Sequence, residues 1–83
     1  MGLDTVELAW KIEKEFSINP PDTRWEQVTT VKELYEIVAE FTQGRLPSIQ
    51  IIDRVNEILC EHIGIELHDI SPEKSLTTDL GLD

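Results

Sequence analysis

Three stretches of this chain carry apolar residues at helical spacing and none carries the alternation of a strand. The chain can therefore hide its apolar surface only by packing helices on one another. In LDTVELAWKIEKEF (3–16), Leu8, Ile12 and Phe16 recur every four residues, with Thr5 and Ala9 beside them. In TTVKELYEIVAEF (29–41), Val31, Leu34, Ile37, Val38 and Phe41 form a second stripe, and in SIQIIDRVNEILCEHIG (48–64) Ile51, Ile52, Val55, Ile58, Leu59 and Ile63 form a third. The predicted class is all-α: a small bundle of three main helices and one short one, in a single domain of 83 residues.

Local signals set the boundaries. Asp4 and Glu7 sit near the start of the first helix, favourable against the positive end of its dipole. SINPPD ends it, because Pro20 and Pro21 cannot continue a helix. A short helical turn is expected around Thr23 to Gln27, with Asp22 as its cap. Thr30 and Glu33 have the spacing of a capping box for the next helix. Residues 42–48 (TQGRLPS) are a loop by composition. A helix over 49–63 stops at Gly64. Residues 65–83 read as a long ordered loop in which Ile65, Leu67, Ile70, Leu76, Leu80 and Leu82 are irregular apolar anchors.

Charge narrows the partners. Seventeen acids against seven bases leave a net charge of −10. Nucleic acid is excluded, since its phosphates need Lys and Arg to displace their counterions. An acidic surface favours basic protein partners with salt-sensitive association, although acidity can also serve solubility alone. No apolar run approaches membrane-spanning length, and the start lacks a signal peptide. Met1-Gly2 resembles a myristoylation start, but Val6 stands where that motif needs Ser or Thr. A lone cysteine forms no internal disulfide. These features suit a cytoplasmic protein.

Two groups of residues need more than a core. Leu3, Val6 and Trp10 share a second face of the first helix, offset from Leu8, Ile12 and Phe16 and rimmed by Asp4, Glu7 and Glu13. Either this is an exposed docking strip, or the helix is central and buried on both sides. Cys60 and His62 invite a metal, with His68 further along. Cys-x-His on a helix sets the two side chains roughly 200° apart, so a small structural thiol is the simpler reading. No catalytic constellation, phosphate loop, paired zinc spacing or EF-hand loop occurs. The chain is not expected to be an enzyme.

Joined tail to head, the chain resembles an acyl carrier protein. RVNEILCEHIGIELHDISPEKSLTTDLGLD, at its end, is similar to that family's first helix and long first loop. LDTVELAWKIEKEF, the Pro-Asp loop and VTTVKELYEIV are similar to the part of the family that lies beyond its prosthetic-group serine. The order of the halves is swapped. The resemblance implies a circular permutation cut at the Asp-Ser-Leu motif. Residues 1–41 would correspond to the second to fourth helices, 42–48 to a joining loop, and 49–83 to the first helix and loop. Seven residues of loop span at most roughly 25 Å, ample for helix axes about 10 Å apart.

The resemblance implies the rest of the site. Asp83 and Leu3 supply the motif's Asp and Leu, and Gly2 stands where the serine would carry 4′-phosphopantetheine. The chain as written then lacks an acceptor, since Ser17, Ser48, Ser71 and Ser75 lie outside the motif. Partners would be the basic surfaces of acyl-transfer and chain-elongation enzymes of fatty-acid or polyketide synthesis, and a phosphopantetheinyl transferase. They would be met by Leu3, Asp4, Val6, Glu7, Trp10 and Glu13, with Lys11 and Lys14 diluting that helix's acidity. The acyl chain would lie between the helices, lined by Leu8, Ile12, Ile37, Leu59 and Ile70. Alternatives are a serine-less acidic adaptor and a dimer that exchanges halves, against the expected monomer.

Overall fold

The computed structural model describes residues 3–82, for Leu3 the backbone alone. Its helices are α1 (Leu3–Phe16), α2 (Asp22–Glu26), α3 (Val31–Thr42) and α4 (Ser48–Ile63), followed by a 3-10 turn at Leu67–Asp69. Among the described residues the sole strand-like feature is an isolated antiparallel bridge between Thr30 and Ser75. The all-α bundle expected from the periodicity is what forms.

Each stripe turns inward. Leu8, Ile12 and Phe16 of α1, Val31, Leu34, Ile37 and Val38 of α3, and Ile51, Val55, Ile58 and Leu59 of α4 are all buried in one core. Fully burying one such side chain contributes about 1.5–3 kcal/mol, so the three stripes are the main attraction between the helices. α4 runs antiparallel to α1. Arg54 in its first half donates to Glu15 at the end of α1 (2.6 Å), and His62 near its end meets the Asp4 carbonyl at the start (3.1 Å). Arg54 holds the Glu15 carboxyl below its usual range through that hydrogen bond. Tyr35 ties α3 to α4 by donating its hydroxyl proton to Asn56.

The helix ends are closed by local chemistry. Ser17 takes a left-handed conformation (φ 55) and the Ile18 amide reaches back to the Glu13 carbonyl at 3.1 Å, which ends α1 before the prolines. Arg45 donates to the carbonyl of Phe16 at 3.3 Å, satisfying one of the acceptors that α1 leaves open. Gly64 closes α4 in the left-handed region (φ 81), its amide on the Cys60 carbonyl at 2.8 Å.

The segment after α4 is tied down by the start of α3. The first amides of a helix have no partner within it. Here Val31 donates to the Lys74 carbonyl (3.0 Å) and Lys32 to the Pro72 carbonyl (2.8 Å), while Leu76 donates to Thr29 (2.9 Å). Leu76 and Leu82 are thereby carried into the core.

Three local expectations need correction, and two core residues lie outside the expected stripes. Asp22 lies inside α2 and does not cap it; Pro21 precedes the helix with no side-chain cap bond. Thr42 and Ser48 belong to α3 and α4, so the link is 43–47. Leu67 is no anchor: it is 62% exposed, on a 3-10 turn inside the expected loop. Trp25 and Ile18, outside every periodic stripe, are core residues.

The capping box is complete. The Thr30 hydroxyl accepts from the Glu33 amide at 3.3 Å, and Glu33 Oε1 accepts from the Thr29 and Thr30 amides, each at 3.0 Å. Hydrogen bonds from Thr29 and Thr30 hold the Glu33 carboxyl below its ordinary range. A lowered folded value means stability that is fully present above the unfolded carboxylate pKa, about 4.3, and is lost as pH falls through the lowered one. Glu33→Gln, which can keep the cap geometry, should cost about 0.3–1 kcal/mol at pH 7. Urea unfolding of both proteins from pH 7 downward checks this. The gap should stay level to about pH 5 and close below it.

Candidate functional site

The short helix α2 crosses beside α1 and leaves two concavities there. The first is an apolar cavity of about 210 Å³, lined by Thr5, Leu8 and Ala9 of α1, Trp25 and Glu26 of α2, Val28 and Thr29, Leu34 of α3, and Leu76 and Thr77. It reaches the first turn of α1 through Thr5. The second is an open groove of about 460 Å³ between Val6, Ala9, Trp10 and Glu13 on one side and Asn19, Pro20, Asp22, Trp25 and Glu26 on the other.

α2 keeps its place by two side-chain bonds. Trp25 is buried, and its indole Nε1 donates to Glu13 Oε2 at 3.0 Å. Arg24 pairs with Glu40 of α3, which raises the Arg24 pKa and lowers that of Glu40, chiefly through the hydrogen bond they share. The first bond joins α2 to α1 and the second joins it to α3.

The residues expected to meet partners are not all placed alike. Trp10 is 63% exposed, so α1 is not buried on both sides. Val6, Asp4 and Glu13 are half-buried and Glu7 is exposed. Val6, Trp10 and Glu13 share the groove wall, whose lining holds the carboxylates of Glu13, Asp22 and Glu26 and no base. Lys11 and Lys14 instead line a concavity with Glu15, Arg54, Ile58 and Glu61 on the α4 side. The two lysines therefore do not enter the acidic groove. Glu13 also does more than rim it, since it orients Trp25.

Of the residues named for an acyl chain, Leu8 lines the cavity. Ile12, Ile37 and Leu59 are sealed in the core, and Ile70 is half-buried against it; none of these four is in the cavity lining. The periodic stripes did not single out Trp25, Val28, Leu76 or Thr77 as cavity residues. One signal was available for Trp25: a large aromatic between Pro21 and Gln27 in an otherwise polar segment.

Gly2 and Asp83 lie outside the described residues, as does the side chain of Leu3. The residues next to them line one concavity. Asp4, Glu7 and Lys11 share a concavity with His62, Ile63, Leu80, Gly81 and Leu82. The last described residues thus lie near the start of α1. Cys60 is a free, half-buried thiol, and His68 is exposed beside Glu66 and Asp69. Among the described residues no group of three or more His, Cys, Asp or Glu is placed to hold a metal ion. Nor, among them, is any helix long and apolar enough to cross a membrane.

No family model and no solved structure matches the chain. Curated relatives do. An acyl carrier protein of Picosynechococcus sp. is 52% identical over 41 residues, covering 49% of this chain and 51% of that protein. An acyl carrier protein of Cyanidioschyzon merolae is 50% identical over 34 residues, covering 41% of this chain and 37% of that protein. The matches thus span about half or less of those relatives' length. In the sequence it shares with them, and in its small all-α bundle, the chain is acyl-carrier-protein-like.

Proposed function

We propose that this chain is a non-enzymatic acyl carrier scaffold that shelters an acyl chain beside α1 and offers its acidic groove to enzymes of fatty-acid or polyketide-type synthesis. The observation that carries the reading is the apolar cavity that reaches Thr5, in the first turn of the helix whose first residue, Leu3, would be the Leu of the family motif. Apolar walls with a few polar groups at one end suit a chain whose head stays in water. The acidic groove, free of bases, suits a basic enzyme surface.

The order of the helices fits a permuted carrier. Segments similar to the family's first helix come after those similar to its later ones, and Asp4 and Leu82 line one concavity. The short 43–47 link lets α3 and α4 pack within one chain, which favours a monomer over a dimer that exchanges halves; the mass in solution decides between them.

The prosthetic arm does not fit. Glycine at position 2 offers no oxygen to a phosphodiester. Hence no step is assigned to 4′-phosphopantetheine, and the carrier is not chargeable there. That same glycine favours a second reading: an acidic adaptor that occupies carrier-dependent enzymes without delivering cargo.

Partner binding tests both readings. Titrated against a chain-elongation enzyme that accepts carrier proteins, the chain should bind, and affinity should fall tenfold or more between about 50 mM and 200 mM salt as the screening length shortens. Trp10→Ala should weaken binding while the folded chain stays intact, as checked by calorimetry and circular dichroism. Undetectable binding at low salt, or affinity unaffected by Trp10→Ala, would remove the groove from the proposal.

A further inference from the structure

We infer that Trp25, held by Glu13, is the wall that limits the length of acyl chain the cavity accepts, with a cut-off near eight carbons. The inference rests on the acyl-binding reading above. Trp25 lines both the apolar cavity and the acidic groove, and besides it those two linings share only Ala9 and Glu26. Ala9 is a single methyl, and Glu26 is exposed. The indole is therefore the partition between the two spaces.

Size sets the limit. A cavity of about 150 Å³ accepts benzene, six carbons. By proportion, the 210 Å³ here takes roughly eight. A longer chain must either stay in water or displace the indole. Displacement is opposed twice. Trp25 is 4% exposed, so turning it out returns a large apolar surface to water. It also breaks the 3.0 Å bond to the Glu13 carboxylate, which is stronger than a neutral one. Glu13 acts through Trp25 and is a positioning residue. Beyond the partition lies a groove lined by three carboxylates, Glu13, Asp22 and Glu26, so the space there is larger and wet.

The test uses unlinked S-acyl pantetheines of four to fourteen carbons, below their micelle concentrations, titrated by calorimetry. The Trp10→Phe chain leaves Trp25 as the lone tryptophan, so its fluorescence reports the same event. Affinity should rise about fourfold per methylene up to roughly eight carbons and then level off. In Trp25→Leu the rise should continue by at least two carbons. Because that variant risks the core, Glu13→Ala is the companion: it leaves the indole in place, frees it, and should move the cut-off the same way. If no acyl pantetheine binds at any length, the acyl-binding reading fails and this inference with it. If they bind but affinity climbs steadily to fourteen carbons in the unaltered chain, acyl binding stands and the wall is refuted. An unchanged cut-off in both variants refutes it equally.

Discussion

Incubated with a phosphopantetheinyl transferase and coenzyme A, this protein should keep its mass. The transfer forms a bond from phosphorus to a side-chain oxygen, and glycine at position 2 has none to give. The hydroxyl residue nearest along α1, Thr5, is buried (9% exposed) and lines the cavity. Gly2→Ser supplies the atom but not its setting. On the proposed permutation, the Asp that precedes the serine in the family motif would be Asp83, and residue 2 follows Met1 instead. Orienting the reacting groups contributes about 7–11 kcal/mol in favourable cases, so modification of Gly2→Ser should be slow or absent. The control is the same substitution in a chain rejoined between Asp83 and residue 2 and opened within 43–47. That chain should gain the arm readily. Intact mass spectrometry reads all three. A gain of mass in the unaltered chain would place the acceptor elsewhere.

Trp25→Ala should unfold this protein far more easily than Trp10→Ala, although both remove an indole. Trp25 is buried, packed in the core and bonded to Glu13, whereas Trp10 is 63% exposed. Truncating a core tryptophan costs about 3–5 kcal/mol, from a total of about 4–12 kcal/mol for a chain of this length. A surface truncation is within about 0.5 kcal/mol. Thermal unfolding should drop by at least about 12 °C for Trp25→Ala and hardly move for Trp10→Ala. Equal losses would show that Trp10 is structural, and would remove it from the partner surface.

The helices were legible in the residues because what makes them is local. Leu8, Ile12 and Phe16 share a face by spacing alone, and Thr30 with Glu33, like Gly64, marks a boundary through bonds that span a turn. The misplaced cap shows the limit of that logic. Asp22 is a good capping residue, yet Pro21 already supplies the extended backbone before α2, so Asp22 enters the first turn. Among the buried stripe residues the same limit appears across the fold. Leu8 and Ile12 are one turn apart on one stripe, but α2 and the 76–77 segment leave space only over Leu8. Ile12, Ile37 and Leu59 meet other core side chains instead.

By itself, then, the sequence determined the helical class, the three inward faces, the acidic charge and the glycine at position 2. Each depends on residue identity or on neighbours within a turn. Only the tertiary structure decided that Trp25 and Ile18 are core, that of the loop anchors Leu76 and Leu82 are buried and Leu67 is not, that the lysines of α1 face α4, and that an indole divides the cavity from the groove. These are matters of what lies across from a side chain. The bonds that settle it join residues far apart in the chain: Lys74 to Val31, Glu13 to Trp25, and Arg54 to Glu15. No periodicity encodes them, because burial is a property of the pair in contact and not of either residue alone.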